Sequence, residues 1–149
     1  MEDTPPEMIG VSIASRVAWL EVLQGLADDL AQQVGLDEDD RFDVGMALRE
    51  GVNNAIVHGN DKDSSKRVEI DFLVQPGSLE IRIRDQGPGF DVGSLPNPLA
   101  PANILSSHGR GVFLIRHYMD EVDLEQAGES GGEIRMVKRT RTNPHDKPS

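Results

Sequence analysis

Along the first part of the chain the apolar positions recur at threes and fours. From Ile13 onward, Val17, Leu20, Leu23, Leu26 (or Ala27), Leu30 and Val34 predict an amphipathic helix closed by Gly35. Asp37-Glu38-Asp39-Asp40 then places acidic residues in the first turn of a second helix, where they complement the dipole. Phe42, Gly45, Leu48, Val52 and Ile56 carry that helix to a C-terminal cap at Gly59-Asn60. Beyond the polar stretch from Asn60 to Lys66 the period changes to two. Val68, Ile70, Phe72 and Val74 alternate with Arg67, Glu69, Asp71 and Leu73, as in a half-buried strand. Gln75-Pro76-Gly77-Ser78 has proline and glycine where a type II turn needs them, and Leu79, Ile81 and Ile83 return as the second strand of a hairpin.

The pattern then lapses. Asp91 to His108 carries Pro96, Pro98 and Pro101 and few periodic apolar positions, which suits a lid or binding loop. Gly109-Arg110-Gly111 opens a third helix through Val112, Ile115 and Met119. Val122 and Leu124 predict a strand, Gly128 to Gly132 a turn, and Ile134, Met136 and Val137 the last strand. Residues 1–10 read as a flexible lead-in, 11–139 as one domain, and 140–149 as a disordered polar tail.

Composition narrows the function. The 149 residues suit a single domain with a real core. Fifteen Lys+Arg against 26 Asp+Glu give a net charge of -11, which disfavours nucleic acid and anionic membrane as partners. No apolar run reaches bilayer length and no N-terminal signal pattern is present, so the expected location is cytoplasmic. The absence of cysteine excludes disulfides, thiolate catalysis and sulfur-ligated zinc. His58, His108 and His117 show no metal-ligand spacing, and Trp19 and Tyr118 read as packing residues.

Three stretches carry candidate chemistry. On the second helix Glu50 and Asn54 are four apart, so a carboxylate stacks one turn from a carboxamide. Asp85 ends a strand and is followed by Gly87 and Gly89, which let the backbone approach a flat ligand. A buried carboxylate there accepts hydrogen bonds without donating and so selects the amino group of adenine over the carbonyl of guanine. Gly109-Arg110-Gly111 places unpaired N–H groups, the positive dipole end and a cation where phosphate binds. Each stretch alone is weak, and the order of the three is specific.

That order resembles the Bergerat ATP-binding fold shared by DNA gyrase and the histidine kinases, over roughly residues 13–138. Glu-Gly-Val-Asn-Asn-Ala-Ile-Val-His-Gly and Gly-Arg-Gly-Val-Phe-Leu-Ile-Arg-His-Tyr-Met-Asp-Glu-Val are similar to runs in the anti-sigma-factor serine kinases. The resemblance implies an α+β fold: a two-layer sandwich whose mixed, mostly antiparallel sheet is covered on one face by helices. It implies ATP and Mg²⁺ as cofactors, with Asn54 as the metal ligand and Glu50 as the general base. Asp85 would bind the adenine amino group, Gly87 and Gly89 would line the base pocket, and Gly109, Arg110 and Gly111 would meet the phosphates. The implied partners are a sigma factor and an anti-anti-sigma protein carrying a target serine. A homodimer is implied through the first helix or its neighbouring sheet edge, with Arg16 near the partner surface.

The chain departs from the family pattern at two places. Arg49 stands where serine usually precedes the glutamate, and Gly131-Gly132 is followed by Glu133 where threonine usually reaches the phosphates. An acid at 133 would repel a γ-phosphate if it pointed inward. The alternatives to a kinase are therefore an ATP-binding partner-switch module without efficient phosphotransfer, and a detached histidine-kinase catalytic domain.

Overall fold

The computed structural model describes residues 5–87, 107–126 and 131–140, with backbone only at 107–110 and 126. Five strands form one sheet in the order β1-β2-β3-β5-β4, from β1 (Glu7–Ala14), β2 (Arg67–Gln75), β3 (Ser78–Arg84), β4 (Glu121–Gln126) and β5 (Gly132–Arg139). Every described ladder is antiparallel, so the sheet expected to be mostly antiparallel is wholly so among the described residues. Among the described residues three α-helices, α1 (Leu20–Gln33), α2 (Glu38–Asn54) and α3 (Ser107–Tyr118), complete the α+β fold.

The β2–β3 hairpin forms as the alternation predicts. Val68, Ile70 and Phe72 of β2 and Leu79, Ile81 and Ile83 of β3 are buried on one face. Gln75 pairs with Ser78 across the turn, and Gly77 has φ +83°, the positive value its turn position demands. The buried side of β3 and β5 lies under α2, which α1 and α3 flank. Leu48, Val52 and Ile56 of that helix region are fully buried. Each such side chain contributes about 1.5–3 kcal/mol. A β-carbon at Gly51 would lie 2.6 Å from Ile83 Cδ1 and 3.1 Å from Met136 Cε. Glycine costs a helix interior about 1 kcal/mol relative to alanine; here it lets α2 sit down on the sheet.

The opposite face of the sheet is open and charged. Arg84 bonds Asp71 at 2.8 Å and approaches Glu133 at 3.6 Å; Arg135 reaches Glu80 at 3.2 Å and Asp123 at 2.7 Å. Burial opposes the charge on Arg84, but Asp71 and Glu133 outweigh it and raise its pKa. These pairs satisfy one another across the strands.

The N-terminal region differs from the pattern-based expectation. Glu7–Gly10, within the expected lead-in, begins β1, which pairs with β2 from Glu7↔Val74 to Ala14↔Arg67. Ile13 is buried in that strand, Val17 is exposed in a short 3₁₀ turn, and α1 begins only at Leu20. The apolar spacing at 13, 17 and 20 matches a helical stripe, but the backbone bonds of residue 13 and its neighbours go to another strand. Trp19, expected to pack, is 40% exposed. Tyr118 does pack on the core, with His117 edge-on at 5.3 Å.

Candidate nucleotide-binding site

The site residues converge on the C-terminal end of α2. Asp37 caps the start of this helix, accepting from Asp40 N at 2.8 Å. At its other end the helix widens into a π turn, Ala55–Gly59, in which Asn60 N–H donates to the Ala55 carbonyl at 2.8 Å. Such insertions are frequent at functional sites. The sequence predicts a simple cap here, and glycine and asparagine do end the helix, one widened turn beyond its regular part.

Glu50 and Asn54 are both half-buried, on a stripe beside the sheet-facing one. This stripe meets α3. A β-carbon on Gly111 would fall 2.5 Å from Asn54 Nδ2 and 3.0 Å from its Oδ1. Only glycine lets the first turns of α3 approach the carboxamide so closely. Gly109 and Arg110 also lie in the first turn of α3, which starts at Ser107, two residues before the expected position.

Asp85 follows β3 on the same side as Ile81 and Ile83. Its Oδ1 accepts from Gly87 N at 2.9 Å and from Gly132 N at 3.0 Å, and its own N–H donates to the Gly132 carbonyl at 3.0 Å. Its Oδ2 lies where a side chain on Gly59 would begin: a β-carbon there would be 2.2 Å away. A β-carbon on Gly87 would be 1.8 Å from the Gly59 carbonyl oxygen. The turn after β3 and the end of the π turn are therefore in backbone contact. The structure thus brings Asp85 and Gly87 to one end of α2 and Gly111 against Asn54. Gly89 lies outside the described residues, as do residues 91–106 of the stretch read as a lid or binding loop.

Both departures from the family pattern point away from this site. Glu133 pairs with Arg84 in the β3–β5 register, on the open face, whereas its neighbour Ile134 is turned toward α2. Alternation in a strand sends the two side chains to opposite faces, so this acid does not face the helical side where phosphate would lie. Arg49 is exposed and donates to Gln24 Oε1 of α1 at 3.0 Å.

Sequence reasoning gave Asn60 only a capping role and gave Gly59 none beyond it. Asn60 is fully buried and bonds to three separate segments. A polar residue at a helix end gives no sequence signal of such distant partners.

The residues fit a magnesium–nucleotide pair. Among the described residues no three His, Cys, Asp or Glu side chains form a self-sufficient metal cluster. Magnesium on a nucleotide needs none, since one or two protein oxygens with phosphate and water complete its shell. The Asn54 carboxamide would offer such an oxygen beside the glycine-bearing start of α3, where a helix N-terminus favours phosphate.

Comparison with known proteins identifies the family. The profile of the histidine kinase-like ATPase domain matches residues 13–138. The chain is 27% identical over 139 residues to the serine-protein kinase RsbW of Halalkalibacterium halodurans, covering 89% of this chain and 83% of that protein. It is 31% identical over 103 residues to the anti-sigma F factor of Oceanobacillus iheyensis, covering 68% and 70% respectively. Among solved structures, that of the RsbU and RsbW domains of Rv1364c from Mycobacterium tuberculosis superposes with a TM-score of 0.60 at 16% identity. That match covers 89% of this chain and 32% of the other, and speaks for the fold alone. The chain belongs to the histidine kinase-like ATPase domain family, in the group of the anti-sigma-factor serine kinases.

Proposed function

We propose that this protein binds Mg-ATP, phosphorylates a serine on an anti-anti-sigma protein, and sequesters a sigma factor until that antagonist is free to compete. The observation that carries the reading is the pairing of two geometries on one helix end: an anchored carboxylate at Asp85 and a carboxamide at Asn54 in contact with Gly111.

In this reading Asp85 accepts the adenine amino group through Oδ2 while two backbone N–H groups hold Oδ1, and Gly87 and Gly89 line the base pocket. Gly109, Arg110 and Gly111 hold the phosphates at the start of α3. Asn54 supplies the protein ligand to Mg²⁺, which when bound neutralises charge on the phosphate oxygens. Glu50, one turn away on the same stripe, takes the proton from the serine hydroxyl. Phosphoryl transfer relies mainly on positioning and charge stabilisation, so these groups suffice.

The match over 13–138 supports one ATP-binding unit over those residues; residues 141–149 of the expected tail lie outside the described residues. No described helix is long and apolar enough to cross a membrane, and with the charge of -11 this supports a cytoplasmic protein acting on protein partners rather than nucleic acid. Exposed Met8 on β1, exposed Val17 and Trp19 in the 3₁₀ turn beside Arg16, and exposed Val22 in α1 support a homodimer and partner surface at that edge.

Incubation with γ-labelled ATP, Mg²⁺ and candidate anti-anti-sigma proteins tests the proposal, with phosphoserine on one of them as the expected product. If the native protein binds ATP yet leaves every candidate unmodified, it is a binding module. The outward placement of Arg49 and Glu133 favours the kinase.

A further inference from the structure

We infer that Asn60 is the positioning residue of the base site, fixing the backbone that aims Asp85 at adenine; this rests on the assignment of Asp85 to the base. Asn60 is 0% exposed, and its amide uses one acceptor and two donors. Its Oδ1 accepts from the backbone N–H of Gln86 at 2.7 Å. Its Nδ2 donates to Ser15 Oγ at 2.8 Å and to the Arg67 carbonyl at 3.0 Å. The partners dictate this orientation, because a backbone N–H can only donate and a carbonyl can only accept. Ser15 Oγ in turn donates to the Lys66 carbonyl at 2.8 Å, so the end of β1 and the approach to β2 are held in the same network.

The network grips the turn that carries Asp85 from two sides. Gly87 rests on the Gly59 carbonyl, and the next residue along, Asn60, binds Gln86 N–H. Asp85 has its own N–H on Gly132 and its Oδ1 on Gly87 and Gly132, so once Gln86 is fixed its carboxylate has one direction left. Gly59 ends the π turn that follows Asn54, and Asn60 comes next. The base-reading carboxylate and the proposed metal ligand are therefore tied together through five residues of backbone. A cap on the helix would need only the bond from Asn60 N–H to the Ala55 carbonyl. The buried side-chain amide serves the turn at Asp85 instead.

The test compares Asn60→Ala, Asn60→Asp and Ser15→Ala by calorimetric titration with ATP and GTP, alongside thermal melts. Asn60→Ala leaves Gln86 N–H without its acceptor and is expected to weaken ATP about 10-fold and to reduce the preference over GTP by a similar factor. Asn60→Asp keeps that acceptor but turns a carboxylate oxygen toward the Arg67 carbonyl. It should melt earlier yet hold ATP within about threefold of native, while Ser15→Ala should stay within about twofold. Rescue of affinity without rescue of stability is what a merely structural role does not give. A folded Asn60→Ala with native ATP affinity and native ATP/GTP ratio overturns the inference, as does an Asn60→Asp protein as weak toward ATP as Asn60→Ala. Should Asn60→Ala fail to fold, single-amide hydrogen exchange on the native protein decides: Gln86 N–H must be protected before ATP is added, and rapid exchange there overturns the inference. Loss of ATP binding in the native protein would remove the functional reading and this inference together, an outcome distinct from the others.

Discussion

Asn54 and Gly111 are in contact across the α2–α3 junction, so closely that a single added carbon on the glycine would lie 2.5 Å from the carboxamide nitrogen. The proposed metal ligand and the proposed phosphate-binding helix start thus share one small volume. Gly111→Ala must push the two apart. Overpacking of this kind costs about 1–3 kcal/mol, and here it should appear as a drop of one to two decades in Mg-ATP affinity. Calorimetry with and without Mg²⁺ checks it, and an Ala variant with native affinity removes Gly111 from the site.

Asp85→Asn is expected to lose ATP affinity in a defined way. Gly87 N–H and Gly132 N–H both point at Oδ1 and demand an acceptor, so the amide oxygen goes there and the NH₂ takes the Oδ2 position. A donor then meets the adenine amino group. The mismatch costs about 1–3 kcal/mol, one to two decades in affinity. Equal affinities of the native protein for ATP and GTP would count against Asp85 as the base reader.

Glu50→Gln separates catalysis from binding. The variant keeps size and hydrogen bonding but removes the base, so phosphotransfer should fall by roughly 10²–10⁴ while nucleotide affinity changes little. Single-turnover assays with a phosphorylated antagonist as product make the measurement. Undiminished transfer in this variant would show that another group takes the proton.

Lys138 links α3 to the remainder of the core. Its Nζ donates to the Tyr118 carbonyl at 2.6 Å and lies 3.3 Å from Asp43 and 3.8 Å from Asp40, and both Lys138 and Asp40 are buried. Lys138→Met takes a buried cation from beside those carboxylates and a donor from the Tyr118 carbonyl, and should destabilise by about 1–3 kcal/mol. Denaturant unfolding reads it directly. Restoring part of the loss with Asp40→Asn in the same chain would identify the lost attraction between Lys138 and Asp40 as the cause, and a native midpoint for Lys138→Met would exclude this ion pair from the stability of the fold.

By itself the sequence determined the elements whose burial follows their own periodicity. Leu48, Val52 and Ile56 recur at helical spacing and Val68, Ile70 and Phe72 at strand spacing because one face of each element must leave water, and these are the faces the core buries. It also determined which chemistry to look for, since Glu50 with Asn54, Asp85 with Gly87, and the Gly109–Gly111 helix start are local patterns. Only tertiary structure decided the remainder, in each case through a partner distant along the chain. β1 carries little pattern of its own, Met8, Ile9 and Gly10 being exposed, and becomes a strand because β2 offers it a ladder. Glu133, ambiguous as a letter beside two glycines, turns to the open face because strand alternation puts Ile134 under α2 and leaves the acid to Arg84. Asn60 reads as a helix cap until folding brings Ser15, Arg67 and Gln86 around it. A buried amide takes whichever hydrogen-bonding partners the packed chain presents, and no spacing in the sequence records them.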